Sequence, residues 1–270
     1  MIGCATGTIR NVWSAIEDRH RRYGYPLPLG MQGDFSRMSR AVASVQGQPS
    51  RLIFPIGTHH VKDMLELAGL TESQTRDMLM CVLGTVACLR VGEVDQLQVC
   101  DLLWSHDAAW HSRYNNTLAV RVYKRKQDQE RKGLYPRVGE AVAMRLRGFV
   151  SRLRLEVSTD CSKQRSPGAR CRQCPPVFPR LTGGPSADKP VSRQQVTRAV
   201  INSLRLIGVD PTNFSGLSKR RGGISAALVA RVPEPILLLQ SGHGSHCAVR
   251  NYMVPRYPHI LFETPLAFGL

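Results

Sequence analysis

The run Met78–Leu89, MLMCVLGTVACL, is apolar on nearly all of its sides. A helix built from it has no face to offer to water, so it must lie at the centre of the fold with other elements packed around it. Thr71 and Gln74 form a capping box that predicts where this helix starts. The 42% apolar content supplies enough core for such an arrangement. LRVGEV (89–94) follows at once, so Arg90 and Glu93 are delivered from the middle of the molecule.

The rest of the chain divides into two expected domains, 1–50 and 51–270. In the first, Ile9, Val12, Trp13 and Ile16, then Phe35, Met38, Ala41, Val42 and Val45, repeat at helical spacing around the connector YGYPLPLG. Arg10, Arg19, Arg21, Arg22, Arg37 and Arg40 lie on the other faces of these two helices. Basic helices of this kind can grip a duplex backbone or can be solvated faces, and both readings stay open. GQPSRLIFPIG reads as a linker. In the second domain Thr58 is expected to cap a helix ending at Gly69. Leu118, Val120 and Val122 alternate with Ala119, Arg121 and Tyr123, predicting a β-hairpin that carries Lys126 in its turn. GEAVAMRLRGFVSRLRLEV is an amphipathic basic helix. Residues 157–190 lose periodicity and read as a long loop or insertion. Ser192 with Gln195 caps a further helix that Gly208 ends. The expected fold class is α+β and mostly α-helical: a small N-terminal helical domain and a larger domain of helices with a small antiparallel sheet.

Several function classes are excluded or disfavoured. No apolar stretch approaches the roughly 18 residues a membrane helix needs. MIGCATGTIR is no signal peptide. The eight cysteines fall mostly within apolar runs, as buried reduced thiols of an intracellular protein do. The pair in CRQC, Cys171 and Cys174, with Cys161 offers three sulfurs but no clear fourth ligand; the plain reading is a loop with spare thiols and no metal site. Thirty-seven basic residues against twenty acidic ones leave a net charge of +17, carried by 30 Arg and only 7 Lys. Arginine's planar fork matches two phosphate oxygens at once, so the balance favours phosphate recognition. An RNA-coating or structural protein remains the bland alternative.

Five positions offer chemistry beyond binding. Arg90 has Glu93 three residues on, which can hold its fork in place. Lys126, with Lys124 and Lys132 as rivals, can reach a groove or protonate a leaving oxygen. Arg220 and Arg221 precede Gly222 and Gly223 at the expected start of a helix capped by Ser218, where anions are favoured and glycines let a backbone approach a phosphate. His243 sits in the Gly-flanked loop SGHGS, 23 residues after Arg220, and Tyr252 follows 9 residues later. A lone Tyr is ordinarily a packing residue; a Tyr beside cationic groups can attack phosphorus.

In this order the five boxes resemble the tyrosine recombinase (phage-integrase) superfamily. LRVGE resembles its first box at Arg90 and Glu93, and KQDQ its hairpin lysine at Lys126. SGLSKRRGG resembles its HxxR box at Arg220, and SGHGSHCAVRNY its final boxes at His243 and Tyr252. The RRGG and KQDQ forms look most like recombinases of eukaryotic mobile elements, the DIRS-type retrotransposons and Cryptons. The resemblance covers roughly residues 8–255, and its N-terminal domain looks truncated. It implies a DNA breaking-rejoining fold with a helical core-binding domain before the catalytic one. Arg90, Arg220 and His243 would hold the scissile phosphate, Lys126 would protonate the 5′-oxygen, and Tyr252 would attack to give a 3′-phosphotyrosine. No metal, cofactor or small-molecule substrate is implied; the partner is double-stranded DNA, on which copies assemble, as a tetrameric synapse, in the nucleus if the source is a eukaryote. Leu217 stands where the HxxR box has histidine. A catalytically impaired, domesticated relative is therefore the second reading, and a topoisomerase-like relaxing enzyme the third.

Overall fold

The apolar helix runs from Glu72 to Val86, and every residue from Thr75 to Thr85 is buried. It begins at the expected capping box: Gln74 donates its N–H to Thr71 Oγ1 at 3.3 Å, and Gln74 Oε1 accepts the Thr71 N–H at 2.9 Å. The computed structural model describes residues 6–25, 53–104, 118–122, 135–159, 161, 171, 173–181 and 189–243. It divides into two compact units, Met1–Leu52 and Ile53–Leu270. In the first unit the described element is α1 (Thr6–Tyr23), whose Val12 and Ile16 are exposed. The expected second helix, with Arg37 and Arg40, lies outside the described residues.

In the second unit the order is α2 (Thr58–Glu66), α3 (the apolar helix), the short α4 (Val91–Val94), a 3₁₀ turn at Val99–Asp101, then β1 (Leu102–Trp104), β2 (Leu118–Val120) and β3 (Arg137–Val138). It continues with α5 (Glu140–Arg152), α6 (Arg193–Leu206), α7 (Gly216–Val229) and α8 (Glu234–Ser241). Among the described residues the architecture is mostly helical with one small antiparallel sheet, as the sequence predicts. α6 and α7 pack most closely on α3, with α5 beside them. Among the described residues no helix is long and apolar enough to cross a membrane.

Several local expectations are corrected. Thr58 is the first residue of α2, not its cap; Gly57 is the cap, its N–H donating to His60 Nδ1 at 3.1 Å. α2 ends at Glu66 rather than Gly69. The hairpin pairing of β2 with β3 is present, but β1 adds a third antiparallel strand, with Leu102 opposite Val120 and Trp104 opposite Leu118. Its three residues are too few for an alternation to be legible. Ser192 and Gln195 cap α6, and Gly208, at φ +74°, follows its end in the left-handed conformation.

The aperiodic stretch is no mere loop. Its described residues 173–181 run back across the start of the sheet: Val99 N–H donates to the Pro175 carbonyl at 3.0 Å and Val177 N–H to the Leu97 carbonyl at 2.9 Å. Phe178 is fully buried against Phe149 of α5. Buried Arg76, paired with Asp77 at 2.8 Å, donates to the Pro179 carbonyl at 3.3 Å, and Asn202 of α6 donates to Asp77 at 2.8 Å. Proline and isolated apolar residues give no period, so burial here had no sequence signature.

Candidate active site

Helix α3 stops in a Schellman turn: Cys88 N–H donates to the Thr85 carbonyl at 3.1 Å and Leu89 N–H to the Gly84 carbonyl at 2.9 Å. Glycine usually fills the left-handed position of this turn, yet Cys88 occupies it at φ +52°. The next three backbone groups carry the site. The Cys88 carbonyl accepts Arg220 Nη1 at 2.7 Å, and the Leu89 carbonyl accepts Lys219 Nζ at 2.8 Å. Arg90 then caps α4, donating its backbone N–H to Glu93 Oε2 at 2.8 Å and Nη1 to Glu93 Oε1 at 2.9 Å. Glu93 is buried, while the Arg90 side chain keeps 31% of its surface exposed. The expected pair exists, and the buried carboxylate fixes the direction of a fork that still meets solvent.

Arg220 comes from α7, and the glycines after it explain how close that helix lies. A Cβ on Gly222 would fall 2.1 Å from the Ile56 carbonyl oxygen, and one on Gly223 would fall 2.0 Å from the Thr85 carbonyl oxygen. Both are far inside a normal contact, so only glycine lets α7 sit against the Ile56 backbone on one side and the last turn of α3 on the other. This corrects the expectation that Gly222 and Gly223 make room for a phosphate. The helix start is corrected as well. α7 begins at Gly216 and is capped by Ser215, whose Oγ accepts the Leu217 N–H at 3.2 Å, while Ser218 Oγ accepts the Ser215 N–H at 2.9 Å. Arg220 therefore lies beyond the first turn, and the anion-favouring helix end does not act on it.

The Arg220 guanidinium is buried and fixed from two sides. Besides the Cys88 carbonyl, Nη2 donates to the Ser241 carbonyl at 2.8 Å and approaches His243 Nε2 at 3.1 Å. Guanidinium nitrogens only donate, so His243 Nε2 accepts and the ring's proton resides on Nδ1, which donates to Ser241 Oγ at 2.8 Å. Gly242 ends α8 at φ +63° and turns the chain so that His243 faces Arg220. Gln240 anchors this end of α8 to the sheet, donating to the Arg137 carbonyl at 3.0 Å and the Val86 carbonyl at 3.3 Å and accepting the Arg137 N–H at 3.1 Å.

Arg90, Glu93, Arg220 and His243 are thus gathered around the turn at 88–90. Leu217, one helical turn before Arg220, is 55% exposed. Lys219 points into the core; burial, opposed by nearby Cys81 and Glu93, lowers its pKa to about 8. Arg221 donates to the Ile53 carbonyl at 3.1 Å. Arg21 and Arg22 are exposed on α1, with Arg22 paired to Asp18 at 2.7 Å, and Arg10 lies on the same helix. Lys126 and Tyr252 lie outside the described residues. Sequence reasoning missed Cys88, Ser241, Gln240 and Lys219. Cys88 and Ser241 act through their backbone carbonyls, which side-chain identity does not advertise, and Lys219 donates to a carbonyl 130 residues away; Gln240, a polar residue closing the run ILLL, was the one legible signal.

No family model matches the chain, and no curated protein matches it. Solved structures do. The XerH site-specific recombinase bound to its difH substrate in a pre-cleavage complex matches at TM-score 0.54 and 12% identity, over 88% of this chain and 65% of that one. XerA recombinase matches at 0.51 and 13%, over 81% and 67%. The Tn1549 transposon integrase in complex with transposon right end DNA matches at 0.52 and 11%, over 92% and 80%. In the post-cleavage XerH complex the match spans 51% of the recombinase chain. This chain therefore spans about half to two-thirds of the length of the XerH chains it matches. The likeness is one of fold: helices around a small antiparallel sheet, as in the catalytic domain of tyrosine recombinases.

Proposed function

We propose that this chain is a DNA recombinase or integrase that exchanges strands by transesterification through a 3′-phosphotyrosine. The observation that carries the reading is the junction at 88–90. Arg220 is tied to the Cys88 carbonyl, Arg90 stands two residues on, and His243 contacts Arg220 directly. Two guanidinium groups and an imidazole held around one turn, on a chain of net charge +17 with a recombinase fold, suit a phosphodiester better than a smaller anion.

The roles follow from the chemistry. Arg90 and Arg220 clamp the non-bridging oxygens of the scissile phosphate, and Glu93 orients Arg90. His243 Nε2 accepts from Arg220; the charge of a bound phosphate favours the imidazolium, whose Nε2–H then donates to the phosphate in place of accepting from Arg220. Tyr252 attacks phosphorus as a phenolate, having given its proton to water. A P–O bond to the phenolate forms as the bond to the 5′-oxygen breaks, and Lys126 gives that oxygen its proton. The phosphotyrosine keeps the bond energy for rejoining, so the cycle balances without a nucleotide or metal. The N-terminal unit, with Arg10, Arg21, Arg22, Arg37 and Arg40, grips the duplex backbone together with Arg221. Copies assemble on DNA, as a tetrameric synapse. A mobile element is the natural source, acting in the nucleus if its host is a eukaryote.

A second reading rests on Leu217. It is exposed one turn before Arg220, where the family places a histidine, and leucine can neither donate to an oxygen nor shuttle a proton. The protein then binds DNA and cleaves poorly. A nicked suicide duplex separates the two. A covalent protein–DNA adduct, lost in Tyr252→Phe, supports the enzyme; retained binding with no adduct supports the impaired relative; no binding to duplex DNA removes both.

A further inference from the structure

The pair Cys171–Cys174 with Cys161 gave three sulfurs and no fourth ligand. The fold supplies the fourth. Cys100, 61 residues before Cys161 in the sequence, lies in the 3₁₀ turn before β1, and the Sγ atoms of Cys100, Cys161, Cys171 and Cys174 all fall within 4.8 Å of one another. We propose that these four cysteines bind one structural zinc ion. The expectation of spare thiols and no metal site is thereby revised.

The distances fit. A zinc–thiolate bond is about 2.3 Å, so the sulfurs of a tetrahedral site stand about 3.8 Å apart. Cys161 and Cys171 are 3.6 Å apart, well beyond the roughly 2.05 Å of a disulfide. Three of the four thiols are buried and the fourth half-buried. Such a group, drawn from three separate places in the chain, is more than packing needs.

The turn that presents Cys171 and Cys174 is already held in shape. Buried Gln98 donates Nε2 to the carbonyls of Cys171 and Cys174, and its Oε1 accepts the Cys171 N–H at 2.6 Å. The backbone pairs Val99–Pro175 and Leu97–Val177 fix the same turn against the segment carrying Cys100. Arg121, just after β2, donates Nη2 to the Cys100 carbonyl at 2.9 Å and pairs with Asp101 at 3.5 Å, which ties the Cys100 backbone to the end of that strand. Outer contacts that fix ligand segments are the usual support of a metal site. All-sulfur, closed coordination leaves no position for substrate, so the ion would be structural. Zinc displaces the thiol protons to solvent as the four Zn–S bonds form, and no electron is transferred. It would staple the 157–190 segment to the start of the sheet, and it stands independently of the recombinase reading.

The test uses the full chain purified under reducing conditions without chelator. Elemental analysis should give one zinc per chain. Cobalt(II) reconstitution should give the ligand-field bands of tetrahedral cobalt with an intense thiolate charge-transfer band. Cys100→Ser and Cys161→Ser should each weaken that band and raise the zinc dissociation constant at least tenfold, while Cys81→Ser, in the core of α3, should leave the spectrum unchanged. Should the cluster variants fail to fold, the zinc stoichiometry and cobalt spectrum of the wild-type chain decide alone. Four freely alkylated thiols with no bound metal, iron in place of zinc, or disulfides among the four would each overturn the assignment.

Discussion

Replacing Gly223 by Ala tests whether the α3–α7 contact sets the site. The new Cβ would stand 2.0 Å from the Thr85 carbonyl oxygen, 2.7 Å from Cys88 Sγ and 3.1 Å from the Thr85 carbonyl carbon. A comfortable C···O contact is about 3.3 Å, so the helices must part by roughly 1.3 Å. The Thr85 carbonyl cannot simply turn aside, because it accepts the Cys88 N–H in the closing turn of α3. Overpacking of this kind costs about 1–3 kcal/mol. The same shift stretches the 2.7 Å bond from Arg220 to the Cys88 carbonyl past hydrogen-bond range. Losing a charge-assisted bond to a buried group adds about 1.5–3 kcal/mol. The better helix propensity of alanine returns about 1 kcal/mol, leaving a net loss of roughly 1.5–5 kcal/mol. Urea unfolding should show a lower midpoint at unchanged slope. Gly148→Ala is the internal control: it sits on α5 with nothing within 4 Å of the added carbon, and it should raise stability by about 0.5–1 kcal/mol. If Gly223→Ala behaves like Gly148→Ala, the close helix contact and the account of Arg220's position built on it are wrong.

Three further outcomes are expected. The lowered pKa of Lys219 makes the unfolded chain bind more protons than the folded one from about pH 8 upward, so its contribution to stability rises with pH there. Cys81, raised to about 12 by burial, opposes this above pH 9; the net gain between pH 8 and 9 is roughly 0.5–1 kcal/mol, and Lys219→Met should remove it in denaturation series across that range. Glu93→Ala should destabilise by about 2–3 kcal/mol because it takes a partner from both the Arg90 N–H and its guanidinium, whereas Arg90→Ala, which leaves the backbone bond intact, should cost less. The reverse order in thermal unfolding would refute the direction of that dependence. Leu217→His, at an exposed position one turn before Arg220, should leave the melting temperature unchanged and raise the rate of adduct formation on a nicked duplex by about 10²–10³. An unchanged rate means that the missing histidine does not limit cleavage.

Much of this molecule was legible before any coordinates. The all-apolar run at 78–89 could only be a central helix, because burial of every face leaves no other place for it. The capping boxes at Thr71 and Ser192 marked helix starts, since hydroxyl–amide geometry is local, and Glu93 was close enough in sequence to find Arg90 within one turn. Local rules failed where the partner was distant. Ser218 looks like a cap, but the chain enters the helix one turn earlier, with Ser215 as the cap and Ser218 Oγ accepting the Ser215 N–H. The glycines after Arg220 suggested a phosphate, and only the packed neighbours Ile56 and Thr85 reveal what they make room for.

The sequence alone therefore determined the helical class, the central helix and the chemical type of each candidate residue, because these follow from periodicity and side-chain chemistry. Tertiary structure decided what those residues touch. It tied Arg220 to the Cys88 carbonyl and turned His243 onto it, and it brought Cys100 to three thiols more than sixty residues away. Contacts between segments far apart in the chain depend on the path of the backbone between them, and no spacing in a linear sequence encodes that path.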